Sequence, residues 1–259
     1  MASAVVVLVT PSRIISSLKL MTRTLVVSQP MFLPWVGLFE QIRLADVFVH
    51  YDDVQLPQGR SFMSRVQLKT ASGISWLTVP IDHKKSGKLL NEVSLFEAQE
   101  WRSKHLRTIH HAYARRPYFS LMFELVEKIY SQPTDRLAQF NITAIELIAE
   151  WLGLAPRFMR SSAMGVAGAS TERLVALCET VNCDVYVTGH GALHYLNHQQ
   201  FEDKGISVQY MDYQKVPYEQ GHIEFTPYVS ILDAIANCGE HTRELLASGA
   251  VYWRDFNVR

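Results

Sequence analysis

Cysteine is scarce in this chain, and neither sign of charge dominates it. Cys178, Cys183 and Cys238 are too few and too irregularly spaced for a disulfide scaffold or a cysteine-rich zinc site. This favours a reducing compartment, so we expect a cytoplasmic protein. The 25 Lys and Arg residues balance 25 Asp and Glu residues, and the net charge therefore predicts no attraction to nucleic acid or to an anionic membrane.

Long apolar runs are also lacking. The apolar segment within Met1–Val9 is too short to span a bilayer and has no charged residues before it, so no membrane insertion is predicted. Met21 stands shortly before the first strand-like run. We therefore expect residues 1–20 to be a non-native or disordered N-terminal extension, and residues 21–259 to form a single domain.

The familiar signatures of nucleotide, metal and hydrolase sites are missing. Gly189–His190–Gly191 lacks the rest of a GxGxxG motif and the Walker lysine, and the chain has no HExxH or GxSxG sequence. His190, His194 and His198 recur every four residues, which could align two metal ligands on a helix, but no third ligand is evident. We therefore predict neither a metal nor another cofactor.

The stretch from Leu25 to Gln55 is the most informative part of the sequence. Leu25–Val27 has the composition of a buried strand, the apolar residues of 35–44 recur at helical spacing, and 46–51 reads as a second buried strand. A strand–loop–helix–strand unit of this length is typical of parallel sheets.

Later segments extend the same architecture. In order, the patterns predict hairpin strands at 63–70 and 74–81, helices at 100–115, 119–130 and 137–152, a strand at 157–160, a helix at 170–181, a strand at 183–188, a helix at 192–201, a strand at 206–213 and a helix reaching about Asn237. The sequence therefore predicts an α/β fold, Rossmann-like, with a mainly parallel sheet and a helical insert at about 98–153.

Polar residues and a glycine follow the predicted strands at their carboxyl ends. In chain order these residues are Gln29, Asp52, Asp53, Gln55, Ser161, Ser162 and Gly189. In open parallel sheets, ligands bind beyond the carboxyl ends of the strands. We therefore expect most of these residues to line one small-molecule cleft, with His105 reaching in from the helical insert.

Two residues are candidates for proton transfer. His105 lies on the apolar line of a basic helix, where nearby cations would lower its pKa and leave it neutral, able to accept a proton. A hydrogen-bonded core histidine is the structural alternative. Asp53 could act as a general base or bind an ammonium group, and it could equally cap the following turn.

The ordered motifs also resemble a known family. The segments SQPMFLPWVGLFEQIRLADVFVHYDDVQ, RSFMSRVQLKT, WLTVP, WRSKH, TGHGALHYL, YEQ and SILDAIANCG are similar to those of the WbqC-like proteins, over roughly residues 24–240. Members are associated with bacterial O-antigen and other surface-polysaccharide clusters, and some accompany carrier-protein pathways. The resemblance adds Arg65, Tyr195 and Gln220 to the candidate substrate-binding residues. The sequence Phe62–Arg65 departs from the family pattern, which usually has an Asn before the arginine.

These observations together predict a transferase. It would move an acyl or aminoacyl group to an amine, either an amino sugar or a carrier-bound amino acid, in surface-polysaccharide or secondary-metabolite biosynthesis. His105 or Asp53 would deprotonate the amine, while Gln29, Gln55 and Arg65 would position the substrate. The expected partner is therefore a small molecule, with an acyl carrier protein as a second possibility.

Two alternatives stay open. The chain could be a non-catalytic protein that binds a sugar or nucleotide sugar in the same pathway, with Trp35, Trp76 or Trp101 stacking on the ligand. It could also be a nucleotidyltransferase-like enzyme, on the pattern of its opening unit alone, because the HxGH phosphate signature of such enzymes is missing.

Overall fold

A mainly parallel six-stranded sheet forms the centre of the fold. The computed structural model describes residues 22–57, 59–82, 87–97, 100–221 and 224–257, so the N-terminal extension predicted at 1–20 lies outside the described residues. The strands are β1 (Thr24–Ser28), β2 (Val47–His50), β3 (Arg65–Thr70), β4 (Gly73–Thr78), β5 (Arg157–Arg160), β6 (Val185–Thr188), β7 (Ser207–Asp212) and β8 (Gly249–Tyr252). The helices are α1 (Val36–Leu44), α2 (Trp101–Tyr113), α3 (Phe119–Tyr130), α4 (Leu137–Trp151), α5 (Ser170–Val181), α6 (His198–Glu202) and α7 (Ile231–Cys238).

The strand order places a topological switch at the middle of the sheet. The order is β5-β2-β1-β6-β7-β8, and β1 pairs in parallel with β2 on one side and with β6 on the other. β8 pairs antiparallel with β7 at one edge. Strands β1, β2 and β5 therefore build outward in one direction, while β6, β7 and β8 build outward in the other. The carboxyl ends of β1, β2, β5 and β6 share one edge of the sheet.

Both faces of the central strands are buried, which explains their nearly continuous apolar sequences. Because successive side chains of a strand point to opposite faces, Val26 and Phe48 pack into a core with the helices α1 to α4 and α7. Leu25 and Val49 pack into a second core with α5 and α6. All four side chains are at most 1% exposed.

The predicted opening unit, the hairpin and the three successive helices are confirmed. β3 and β4 form a separate antiparallel two-stranded sheet, and α2, α3 and α4 follow one another with no strand between them in the described part of the chain. None of the helices in the described ranges combines the length and the apolar character that crossing a membrane requires.

Two elements differ from the sequence prediction. The helix expected at 192–201 is split into a 3-10 turn, His190–His194, and the short α6, so the histidines at 190, 194 and 198 do not share one helix face. His190 Nε2 lies 2.6 Å from the Met211 carbonyl oxygen, and His198 Nε2 lies 2.8 Å from the Tyr210 hydroxyl. β8, which pairs antiparallel with β7 at the edge of the sheet, was not predicted.

Candidate functional site

A cleft of about 620 Å³ lies at the topological switch, beyond the carboxyl ends of β1, β2 and β6. This is the position at which open α/β sheets bind ligands. Its walls are Val27, Ser28, Gln29, Met31, Gln41, Tyr51, Phe62, Met63, Leu174, Tyr186, Thr188, Gly189, Gly191, Ala192 and Tyr195. Of the residues predicted from the sequence, Gln29, Gly189 and Tyr195 line this cleft.

The polar groups of the cleft are neutral hydrogen-bonding groups. Among the described residues that line it, there is no carboxylate, histidine or cation. Burial raises the pKa of Tyr51, and Arg173 beside it offsets part of that effect. Burial likewise raises the pKa of Tyr186 and of Tyr195. The three phenols therefore stay protonated near neutral pH and can donate hydrogen bonds to a ligand.

A charged pair stands directly behind the Tyr51 wall. The Arg173 guanidinium lies 5.0 Å from the centre of the Tyr51 ring and donates a hydrogen bond of 2.5 Å to Asp53 Oδ2. Burial alone would raise the pKa of Asp53, but the hydrogen bonds from Arg173 and Ser161 and the charge of Arg173 outweigh it and lower that pKa. Asp53 is thus held ionised and weakly basic, as a partner of Arg173.

Asp52 joins β2 to the turn after β5. Its carboxylate is 3% exposed and accepts hydrogen bonds from Ser161 Oγ at 3.1 Å, Ser162 Oγ at 2.7 Å and the Ser162 amide at 3.0 Å. Ser161 Oγ also lies 2.5 Å from Asp53 Oδ1. The structure therefore brings four predicted residues together in one hydrogen-bond network next to the cleft residue Tyr51. They are Asp52, Asp53, Ser161 and Ser162.

We expect Asp52→Asn to destabilise the fold moderately. An amide presents one acceptor oxygen where the carboxylate has two, so a buried serine donor loses its charged partner, at a cost of about 1 to 2 kcal/mol. Urea denaturation at pH 7 measures the free energy of unfolding. Asp203→Asn, at an exposed position, is the matched control and should change it little. Equal stability of both variants would contradict the network's structural role.

Gly189 lines the cleft at a point where two side chains approach it closely. A Cβ atom at this position would lie 3.3 Å from the Tyr213 hydroxyl and 3.4 Å from Gln41 Nε2. Gln41 Nε2 donates a 2.6 Å hydrogen bond to that same hydroxyl. A side chain here would crowd this pair, so the glycine lets the end of β6 approach α1 closely.

Asn141, which the sequence reasoning missed, positions the loop between β1 and α1. It is fully buried on α4, and its Nδ2 donates to the carbonyl oxygens of Pro30 and Met63, each at 2.8 Å. The same loop contains Leu33 at φ +39°, a left-handed conformation that is strained for leucine. Helix α4 therefore holds Met63, which lines the cleft, and Pro30, which lies between the lining residues Gln29 and Met31. The available signal was a polar residue on the apolar face of the helix, four positions from Leu137 and from Ile145.

The remaining predicted residues lie outside the cleft lining. Gln55 forms an isolated bridge with Leu89, and the Arg65 guanidinium stacks on Trp76, 3.8 Å from the ring centre. Gln220 is 3% exposed and accepts a 2.9 Å hydrogen bond from Lys69 Nζ. These contacts give the three residues local structural partners.

His105 is a buried histidine whose two ring nitrogens are both engaged. It is 6% exposed, with Nε2 3.0 Å from the Thr78 carbonyl oxygen and Nδ1 3.0 Å from the Tyr130 hydroxyl. Because a carbonyl can only accept, Nε2 carries the proton and Nδ1 accepts from Tyr130. Burial lowers the pKa of His105 to about 4, so the expected neutrality holds, but its cause is desolvation and not nearby cations. The ring packs against Phe32, not into the cleft.

A model of the WbqC-like protein family matches residues 29–245, most of the chain. The chain belongs to this family. A relative from Mycobacterium tuberculosis (strain ATCC 25618 / H37Rv), "Uncharacterized protein Rv1507c", is 30% identical over 220 residues, which cover 84% of this chain and 95% of the relative. No solved structure matches the chain.

In this WbqC-like protein, the matched range contains the whole cleft lining except Val27 and Ser28. It also contains Arg173, Asn141 and every candidate residue named from the sequence. Within the described residues, no group of three or more His, Cys, Asp and Glu side chains is placed to hold a metal ion. The site is therefore best described as a neutral, hydrogen-bonding cleft with a buried ionic network behind it.

Proposed function

We propose that this WbqC-like protein is an acyl- or aminoacyl-transferase that forms an amide on an amine, and that the cleft at the β1–β6 switch is its site. The observation that carries the proposal is the convergence of neutral donors and acceptors there, including Gln29, Gln41, Tyr51 and Tyr195. The sheet order, which read along the chain corresponds to 3-2-1-4-5-6, supports a Rossmann-like description.

The neutral lining suits attack by an amine on a thioester. The Tyr51 hydroxyl would donate to the carbonyl oxygen of the donor as negative charge develops on it, and Arg173 behind the ring would favour that charge. The Gln29 carboxamide oxygen would accept a hydrogen bond from the attacking amine. The amine nitrogen bonds to the carbonyl carbon, the C–S bond breaks, and the departing thiolate takes the proton that the nitrogen loses. An amine already present as its free base needs no additional protein base in this step.

Tyr51→Phe tests the proposal most directly. Loss of one hydrogen bond to the developing oxyanion should lower kcat/KM about tenfold, mainly through kcat. The measurement is amide formation, followed by mass spectrometry, from aminoacyl and acyl thioesters of N-acetylcysteamine with amino sugars as acceptors. Tyr118→Phe, on a tyrosine that is 40% exposed and does not line the cleft, should behave like the unmodified chain.

A non-catalytic sugar-binding protein is the second candidate, favoured by the lack of a carboxylate, histidine or cation among the described lining residues. Calorimetric binding of a sugar or nucleotide sugar, without amide formation from any donor, would decide for it and against the transferase. The nucleotidyltransferase alternative has less support, because the walls of the described cleft contribute no cation for a phosphate.

A further inference from the structure

A second cavity lies beside the cleft and shares two of its walls. Its volume is about 330 Å³, and it is lined by Met31, Phe32, Pro34, Trp35, Phe62, Val66 and Tyr228. Met31 and Phe62 line both this apolar pocket and the cleft. A single ligand could therefore extend from the hydrogen-bonding cleft into the apolar pocket past these two side chains.

The apolar pocket is suited to hydrocarbon. Apart from the Trp35 indole N–H and the Tyr228 hydroxyl, its lining side chains carry no hydrogen-bonding nitrogen or oxygen. Phe32 and Val66 are 1% and 4% exposed, whereas Phe62 and Tyr228 are 56% and 53% exposed. Apolar cavities disfavour water and accept apolar molecules. An ammonium group placed there would find, among the lining side chains, only the Tyr228 hydroxyl to accept its hydrogen bonds.

The pocket wall is coupled to the cleft through Trp35. The Trp35 ring lies 5.0 Å from the Tyr213 ring and 5.7 Å from the Tyr228 ring, measured between centroids. The Tyr213 hydroxyl accepts the hydrogen bond from Gln41, which lines the cleft. The two cavities are thus held next to each other by direct contacts.

We propose that the apolar pocket holds the hydrocarbon chain of the acyl donor, so that the donor is an aliphatic acyl thioester and not an aminoacyl one. This rests on the proposed transferase function. The carbonyl carbon would lie beside Met31 and Phe62, the two residues that line both cavities. The acceptor amine would lie in the cleft. The chemistry is unchanged: the C–N bond forms, the C–S bond breaks and the thiolate receives the proton.

The experiment uses the full chain and acyl thioesters of N-acetylcysteamine with two to about ten carbons, a range in keeping with a small-molecule pocket. Without acceptor, calorimetry should show the dissociation constant falling about fourfold for each added methylene until the pocket is full, and then a plateau. Tyr228→Ala should reduce the gain in affinity for each added methylene, because Tyr228 lines the apolar pocket and does not line the cleft. Phe96→Ala, at a residue that is 46% exposed and lines neither cavity, should retain the gain.

The outcomes separate this inference from the proposed function. Equal affinity across the series, or an unchanged gain in Tyr228→Ala, would overturn the hydrocarbon assignment, even if short donors give amide products. Affinity that rises with chain length and is lost in Tyr228→Ala would support the assignment. If no amide then formed with any amine, the pocket assignment would stand and the transferase function would be wrong.

Discussion

His105→Gln should gain about 3 kcal/mol of stability relative to the unmodified chain as the pH falls from 7.5 to 4.5. In the folded chain burial lowers the pKa of His105 to about 4, against 6.5 for a free histidine. The unfolded chain therefore binds a proton that the folded chain excludes between these pH values. The stability that His105 contributes is present above pH 6.5 and is lost as the pH falls toward 4. A tenfold change in proton affinity is worth about 1.4 kcal/mol, so this loss amounts to about 3 kcal/mol.

Urea denaturation at pH steps from 7.5 to 4.5 measures this effect. The quantity to compare is the change in the free energy of unfolding over that range, because glutamine also alters stability at pH 7 by replacing the ring nitrogen that accepts from the Tyr130 hydroxyl. His111→Gln, at an exposed position on the same helix, is the matched control and should keep the slope of the unmodified chain. If His105→Gln and His111→Gln both show the pH dependence of the unmodified chain, then folding does not lower the pKa of His105.

The opening unit and the position of the cleft could be predicted because their signals are local. The alternation of strand, helix and strand over 25–55 fixes a parallel pair, and parallel sheets place ligands at the carboxyl edge. Gln29 and Gly189 follow β1 and β6 directly, so their presence at the switch required only the correct pairing of those strands. The predicted pattern did not include β8, whose four residues pair at the edge.

The partners of the polar residues could not be predicted, because they depend on packing between distant segments. Asp52 and Ser161 are separated by 109 positions, and no local pattern pairs them. Tyr51 looked like the end of a buried strand and Gln41 like an interior helical residue, yet both line the cleft. His105 was correctly placed on the apolar face of its helix, but its periodicity could not show that Thr78 and Tyr130 occupy both nitrogens.

Asp233 is a second titrating group. Its contribution to the free energy of unfolding should change with pH in the opposite direction to that of His105, over nearly the same pH range. It is 1% exposed on α7, and the Tyr218 hydroxyl donates to its Oδ1 at 2.9 Å. Gln220 Nε2 donates to the same hydroxyl, and Gln220 Oε1 accepts from Lys69 Nζ. This network joins β3 to α7. Burial raises the pKa of Asp233 to about 6 from 3.8, although Tyr218 and the charge of Lys69 oppose that increase.

The sign for Asp233 follows from proton binding. Between pH 3.8 and about 6 the folded chain holds a proton that the unfolded chain releases, so the stabilising contribution is complete below pH 3.8 and is lost as the pH rises through 6. The loss is again about 3 kcal/mol. Because the His105 and Asp233 contributions change with opposite sign, they should nearly cancel in the unmodified chain. Substitution of either residue should reveal the contribution of the other.

Asp233→Asn should therefore gain stability relative to the unmodified chain as the pH rises, by about 3 kcal/mol between pH 4 and pH 7. The comparison of slopes is unaffected by any constant cost of placing an amide beside Lys69. Asp255→Asn, at an exposed position, controls for the loss of one carboxylate and should follow the unmodified chain. In the double variant His105→Gln with Asp233→Asn, neither residue should contribute to the pH dependence of the free energy of unfolding. A profile for Asp233→Asn parallel to that of the unmodified chain would mean that Asp233 does not retain its proton in the folded state.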